Sequence, residues 1–143
     1  MTKFVTAVFD TNILVRLRLA KSKAIRKLWD ALLAGEFELI TSESILAELD
    51  RVLHYPRIFD SNRLSDESVA EFIDTLRRKA VLIEELYEVW RVDEDETDNM
   101  FLAAALETYA DYLVSEDKHL RAIKYYHGVQ IVGLAQFQKE IGL

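Results

Sequence analysis

Apolar and polar positions change period several times along this chain. Residues 3–9, KFVTAVF, form an almost unbroken β-rich apolar stretch, as a strand covered on both faces does. NILVRLRL then carries Ile13, Leu14 and Leu17 at helical spacing. KAIRKLWDALLAG (23–35) sets Ile25, Leu28, Trp29, Leu32 and Leu33 on one stripe and reaches Gly35, a residue suited to end a helix. FELI (37–40) reads as a short strand. In TSESILAELDRVLHYP, Thr41 or Ser42 can cap a helix whose apolar face is Ile45, Leu46, Leu49, Val52 and Leu53, and Pro56 is expected to close it.

PRIFDSNRLS reads as a loop or short turn. SDESVAEFIDTLRRKA (65–80) opens with a capping-box pattern, Ser65 with Ser68, and runs on as an amphipathic helix. VLIEEL reads as extended, and YEVW is grouped with it. DEDETDNMFLAAALETYA starts as an acidic loop and becomes helical from about Thr97. DYLVSED (111–117) is an apolar strand running into acids. KHLRAIKYYHG is a short helix or turn, VQIV (129–132) a last strand and LAQFQKEIGL a last helix.

Strands that alternate with helices predict βαβ units. The expected fold is α/β, a three-layer α/β/α sandwich around a central, mainly parallel sheet. No repeat, low-complexity tract or linker interrupts the 143 residues, so one domain over residues 1–143 is expected. In such sheets ligands bind beyond the carboxyl ends of the strands. Asp10 and Asp117 both fall at such ends.

Composition narrows the chemistry. The chain has no cysteine, which removes disulfides, thiolate zinc sites and thiol nucleophiles. No apolar run has the length of a membrane span, and the start MTKFVTAVFD reads as a strand, not as a signal peptide; a cytoplasmic protein is expected. The net charge of -7 argues against a polyanionic partner. The charge is uneven, however. Residues 16–27, RLRLAKSKAIRK, hold Arg16, Arg18, Lys21, Lys23, Arg26 and Lys27 and no acid. That run is either a solvated face or a track for RNA.

Four acids stand out by position. Asp10 ends the first strand, Glu48 lies inside the third helix near its apolar stripe, Asp98 sits in the first turn of the Ala-rich helix, and Asp117 ends or just follows the fourth strand. If they converge they repel one another unless protons or cations intervene. Hard divalent cations such as Mg²⁺ take oxygen ligands, and a pair of them serves phosphodiester hydrolysis. Asn12 and Ser115 flank the acids and are placed to orient them or a water. Each acid also has an ordinary role open to it. Asp10 and Asp117 suit helix caps, Glu48 suits a pair with Arg51 at i+3, and Asp98 suits the positive end of a helix.

VFDTNILV, the interior Glu of SESILAELDRVL, DNMFLAAAL and ADYLVSEDKHL resemble, in order and spacing, the four motif regions of the PIN domain family. The likeness runs from residue 4 to about 135, and the layout is similar to the stand-alone members that act as toxins of toxin–antitoxin pairs. The resemblance implies an α/β/α sandwich and a Mg²⁺- or Mn²⁺-dependent ribonuclease acting on single-stranded RNA. It implies Asp10, Glu48, Asp98 and Asp117 as the catalytic and metal-site acids, with Asn12 and Ser115 at the polar positions beside the first and last. Asp95 rivals Asp98. Arg16, Arg18, Lys21, Lys23 and Lys27 are the first candidates for RNA contacts. A small antitoxin protein as partner and a homodimer are implied too. Two positions depart from the pattern: His119 stands where many relatives carry an acid, and Glu116 where a glycine is common. Haloacid-dehalogenase-type phosphatases need a second Asp at position 12, and receiver domains need acids before Asp10, so neither fits. The alternative is a catalytically degenerate PIN fold that binds RNA or a protein.

Overall fold

The computed structural model describes residues 4–85 and 96–143, with residues 96–98 described by their backbone alone. The chain runs β1 (Thr6–Phe9), α1 (Thr11–Leu19), α2 (Lys23–Leu33), β2 (Glu38–Thr41), α3 (Glu43–Leu53), α4 (Pro56–Phe59), α5 (Asp66–Lys79) and β3 (Val81–Leu82). It continues with α6 (Glu96–Thr108), β4 (Tyr112–Val114), α7 (Lys118–Ile123), β5 (Tyr125–Tyr126), β6 (Val129–Val132) and α8 (Leu134–Glu140). The strands form one sheet in the order β3-β2-β1-β4-β6-β5, flanked by helices as the alternating pattern requires. β1 pairs in parallel with β2 and β4, β2 with β3, and β4 with β6.

Local chemistry explains where the helices begin. The side chains of Ser22, Ser42 and Ser65 accept from the backbone N–H three residues on, and Ser68 closes a reciprocal capping box with Ser65. Each such cap contributes about 1 kcal/mol. The buried faces are Ile25, Leu28, Ala31 and Leu32 in α2, Ile45, Leu46, Leu49, Val52 and Leu53 in α3, and Val69, Phe72, Ile73 and Leu76 in α5; Leu33, expected on the α2 stripe, is exposed at the helix end. Phe9, Phe37 and Phe137 meet with ring centroids 5.2–5.7 Å apart, and this cluster fastens α8 to the sheet.

Three expectations are corrected. Pro56 does not close α3, which ends at Leu53 with His54 as its cap; Pro56 instead opens α4, where its missing N–H costs nothing. Among the described residues of VLIEEL, 81–85, the extended reading holds as strand for Val81 and Leu82; Leu86 lies outside them. At Glu85 the backbone turns through φ 60°, and its carboxylate accepts from Ser44 N at 2.7 Å and Ser44 Oγ at 2.6 Å. In KHLRAIKYYHG the helix and the turn are formed, at Lys118–Ile123 and at His127–Gly128, but Tyr125 and Tyr126 between them are a strand. Tyr125 and Tyr126 pair antiparallel with β6 through a tight turn at His127 (φ 48°) and Gly128 (φ 95°), the two positive values that a two-residue hairpin turn requires. YEVW, most of the acidic loop and Asp95 lie outside the described residues. Among the described residues, no helix is long and apolar enough to cross a membrane.

His54 joins α3 to α5. Its Nδ1 lies 2.8 Å from the Asp50 carbonyl and its Nε2 2.9 Å from Asp66 Oδ1, and its ring stacks on Phe59. A neutral imidazole has one N–H for these two acceptors, so the carbonyl first, and then the carboxylate, raise its pKa. The stabilisation is therefore complete below the unfolded-state value of about 6.5 and disappears as pH rises through the folded-state value. Urea midpoints measured from about pH 5.5 to about pH 8.5 should fall in the wild type relative to His54→Ala, whose profile should lack that component. Phe137→Ala should cost about 3–5 kcal/mol in the same denaturation assay at neutral pH.

Candidate active site

The sheet register brings two of the predicted residues together. Phe9 pairs with Val114, and Val114 with Val132. The parallel ladder continues one residue further, since Asp10 N donates to Val114 O at 3.2 Å and Ser115 N to Val132 O at 2.9 Å. Asp10 and Ser115 thus stand side by side just beyond the carboxyl ends of adjacent central strands.

Both are buried. Asp10 Oδ1 accepts from Ile13 N at 3.0 Å and caps α1. Asp10 Oδ2 accepts a hydrogen bond from Ser115 Oγ. The same Ser115 oxygen accepts from Asp117 N at 2.9 Å. Asp117 is the N-cap of α7, its Oδ1 accepting from His119 N at 2.8 Å and Leu120 N at 3.2 Å. One hydroxyl therefore links the carboxylate of the first motif to the backbone of the last.

Burial pushes the Asp10 carboxyl above the usual carboxylate range. The bonds from Ser115 and Ile13 oppose this, while the negative charges of Asp117 and Glu116 add to it. Among the described residues, the charges that bear on Asp10 are all negative. A buried hard-oxygen donor under repulsion from neighbouring carboxylates fits a divalent cation, which would remove that repulsion.

The other predicted acids are placed differently. Glu48 is half-buried in α3, where Arg51 holds it with bonds of 2.6 Å to Oε1 and 3.1 Å to Oε2. Arg51 also donates to the Tyr55 hydroxyl and lies 5.4 Å from the centre of that ring. The i+3 pair anticipated from the sequence is therefore formed. Asp98 belongs to the first turn of α6, but its side chain, like Asp95, lies outside the described residues. Among the described residues, no group of three His, Asp or Glu side chains stands close enough to hold a metal ion. Asn12 is exposed on the first turn of α1.

Arg16 and Arg18 occupy the last turn of α1, about 9 Å and 12 Å along the helix axis from its N-cap at 1.5 Å per residue. Lys21, Lys23 and Lys27 are exposed beyond it. Lys23 and Lys27 border a cleft of about 340 Å³ between α2 and α8, with Gln138 and Leu143 opposite.

Two features were missed from the sequence. Among the described residues, the hydroxyls of Thr11 and Thr41 are buried without a hydrogen-bond partner; a threonine at a helix start or strand end gives no sign of this. Glu116 accepts from Leu134 N at 2.8 Å, a contact 18 residues away that no local pattern reveals. Its departure from the glycine common in the family motif was the one available signal.

The family model described as PIN domain matches residues 6–119. The chain belongs to the PIN domain family, whose members are generally nucleases. Among solved structures, it is similar to a chain of VapBC2 from Rickettsia felis, a complex bound to a DNA fragment from its promoter. The TM-score is 0.61 at 14% identity, covering 90% of this chain and 98% of that one, and the likeness is one of fold. No curated protein matches the chain.

Replacing Ser115 by Ala should cost about 1–3 kcal/mol, because it strands the Asp10 oxygen and the Asp117 amide together. Urea denaturation of the metal-free protein measures this.

Proposed function

We propose that this protein is a Mg²⁺- or Mn²⁺-dependent endoribonuclease that hydrolyses single-stranded RNA, and that it is the toxin of a toxin–antitoxin pair. The observation that carries the reading is the buried Asp10 carboxylate at the ends of the central strands, bonded to Ser115 and pressed by the negative charges of Asp117 and Glu116. Membership of the PIN domain family supports nuclease chemistry. The fold likeness to a chain of a VapBC complex supports the toxin role and a small antitoxin protein as partner. The reading carries with it a homodimer working in the cytoplasm.

Asp10, Asp117, Asp98 and Glu48 are the proposed ligands. Glu48 enters this role in competition with Arg51, which holds both of its oxygens. When bound, a divalent cation supplies positive charge for the phosphodiester oxygens and for activation of a water. The chain's own part is to hold the oxygens in place. Ser115 fixes the rotamer of Asp10, and the α1 and α7 caps fix the backbone at Asp10 and Asp117. No protein nucleophile is needed, and cleavage leaves a 3′-hydroxyl and a 5′-phosphate. Arg16, Arg18, Lys21, Lys23 and Lys27 are the proposed contacts to the RNA backbone, offsetting a net charge of -7 with a local basic surface.

RNA cleavage assayed with Mn²⁺, with Mg²⁺ and with EDTA tests the reading. Activity should appear with either ion and vanish with EDTA. Asp10→Asn should lower it by about a hundredfold or more. Its metal-free stability should be maintained, since Asn can still cap α1 and no longer buries a charge. Unchanged cleavage in this variant would remove Asp10 from the reaction. The double substitution Lys23→Glu and Lys27→Glu should raise KM for RNA and reduce its dependence on salt, with kcat preserved.

A further inference from the structure

The turn that carries Ser115 and Asp117 is tied to a neighbouring turn by the residue between them. Glu116 Oε1 accepts from Leu134 N at 2.8 Å, and Glu116 Oε2 accepts from Arg121 Nη1 at 3.3 Å. Leu134 is the first residue of α8, whose own N-cap, Gly133, has no side chain to offer. Glu116 thus caps α8 from 18 residues away. A charge-assisted bond of this length at the positive end of a helix is stronger than a neutral one. A Cβ at Gly133 would fall 2.8 Å from Arg121 Nη1 and 3.3 Å from Glu116 Oε1, so a side chain there would displace the guanidinium end and crowd the tether. The ion pair with Arg121 is half-exposed and weak by itself, so the backbone contact is the main tether.

The tether acts on both sides of Glu116. Ser115 N is held by Val132 O at 2.9 Å, next to Gly133. Asp117 N is held by the Ser115 hydroxyl, which in turn donates to Asp10. The β4–α7 turn is therefore fixed to the β6–α8 turn at two successive residues, and the hydroxyl that orients Asp10 lies at the joint. Glu116 lends this positioning at an electrostatic cost, because its charge also presses on Asp10.

We propose that Glu116 is a positioning residue that locks the 115–117 turn to α8, so that Ser115 and Asp117 present their oxygens in register with Asp10. The proposal rests on the nuclease reading for its consequence, but its structural core is independent of it. Charge and tether are separated by two variants. Glu116→Gln keeps an acceptor for Leu134 N and removes the charge. Glu116→Ala removes both.

Hydrogen exchange of the Asp117 amide in the metal-free protein reads the tether directly. It should accelerate about tenfold or more in Glu116→Ala and stay within about threefold of wild type in Glu116→Gln, at temperatures where both remain folded. Mn²⁺ affinity, titrated calorimetrically, should fall about tenfold in the Ala variant and be held in the Gln variant. Where the wild type cleaves RNA, kcat should follow the same order while KM is unchanged. Wild-type exchange in Glu116→Ala overturns the proposal, as does an equal loss in both variants, which would make charge the cause. A wild-type protein that neither binds Mn²⁺ nor cleaves RNA would defeat the nuclease reading instead, and the exchange result would still decide the tether.

Discussion

The hydroxyl of Ser115, donating to Asp10 and accepting from Asp117, is the contact on which the candidate site depends. It exists because β1 and β4 are parallel neighbours whose ladder carries Asp10 and Ser115 to the same level. A buried carboxylate with an unsatisfied oxygen is costly, and a single Oγ relieves that cost at one end while fixing a backbone amide at the other. Around this contact the helix starts fall into place. Asp10 begins α1 and Asp117 begins α7, so the residues that terminate the strands also launch the helices.

Capping and catalysis are not competing accounts of these acids. A carboxylate has two oxygens and more than one acceptor direction on each, so an Asp that satisfies a helix terminus retains capacity toward a cation. The caps hold each side chain in a defined rotamer, which would lower the entropic cost of binding a cation there. Glu48 shows the opposite arrangement. Its long side chain is satisfied by Arg51, a cation supplied by its own helix, and its charge is already balanced.

Much of this was legible in the residues. Alternation of β-rich and helical periods gave the layered sheet, and the apolar stripe of α3 was read correctly because period and burial coincide there, whereas in α2 Leu33 was placed on the stripe and is exposed. Asp10 was conspicuous as a charge at the tip of an apolar run. The misreadings have local causes. Pro56 is compatible both with ending one helix and with starting the next, and periodicity alone does not distinguish the two. The YYHGVQ hairpin was hidden because its first strand has two residues and its turn takes a positive φ at His127, a residue that gives no turn signal of its own. The link from Ser115 to Asp10 spans 105 positions, so its register becomes visible only when the sheet is assembled. Glu116 was noticed as unusual, but its partner at Leu134 was beyond the reach of any motif.

The two borders of the sheet are formed by β3 and β5, and each is only two residues long. A border strand with many free amides and carbonyls invites a neighbouring molecule to extend the ladder. Among the described residues there is little to extend: one rim ends its ladder where Ile83 N donates to Thr41 O at 3.1 Å, and the other folds back on itself at the His127–Gly128 reversal. The brevity of these rims among the described residues is thus a safeguard against sheet-to-sheet aggregation.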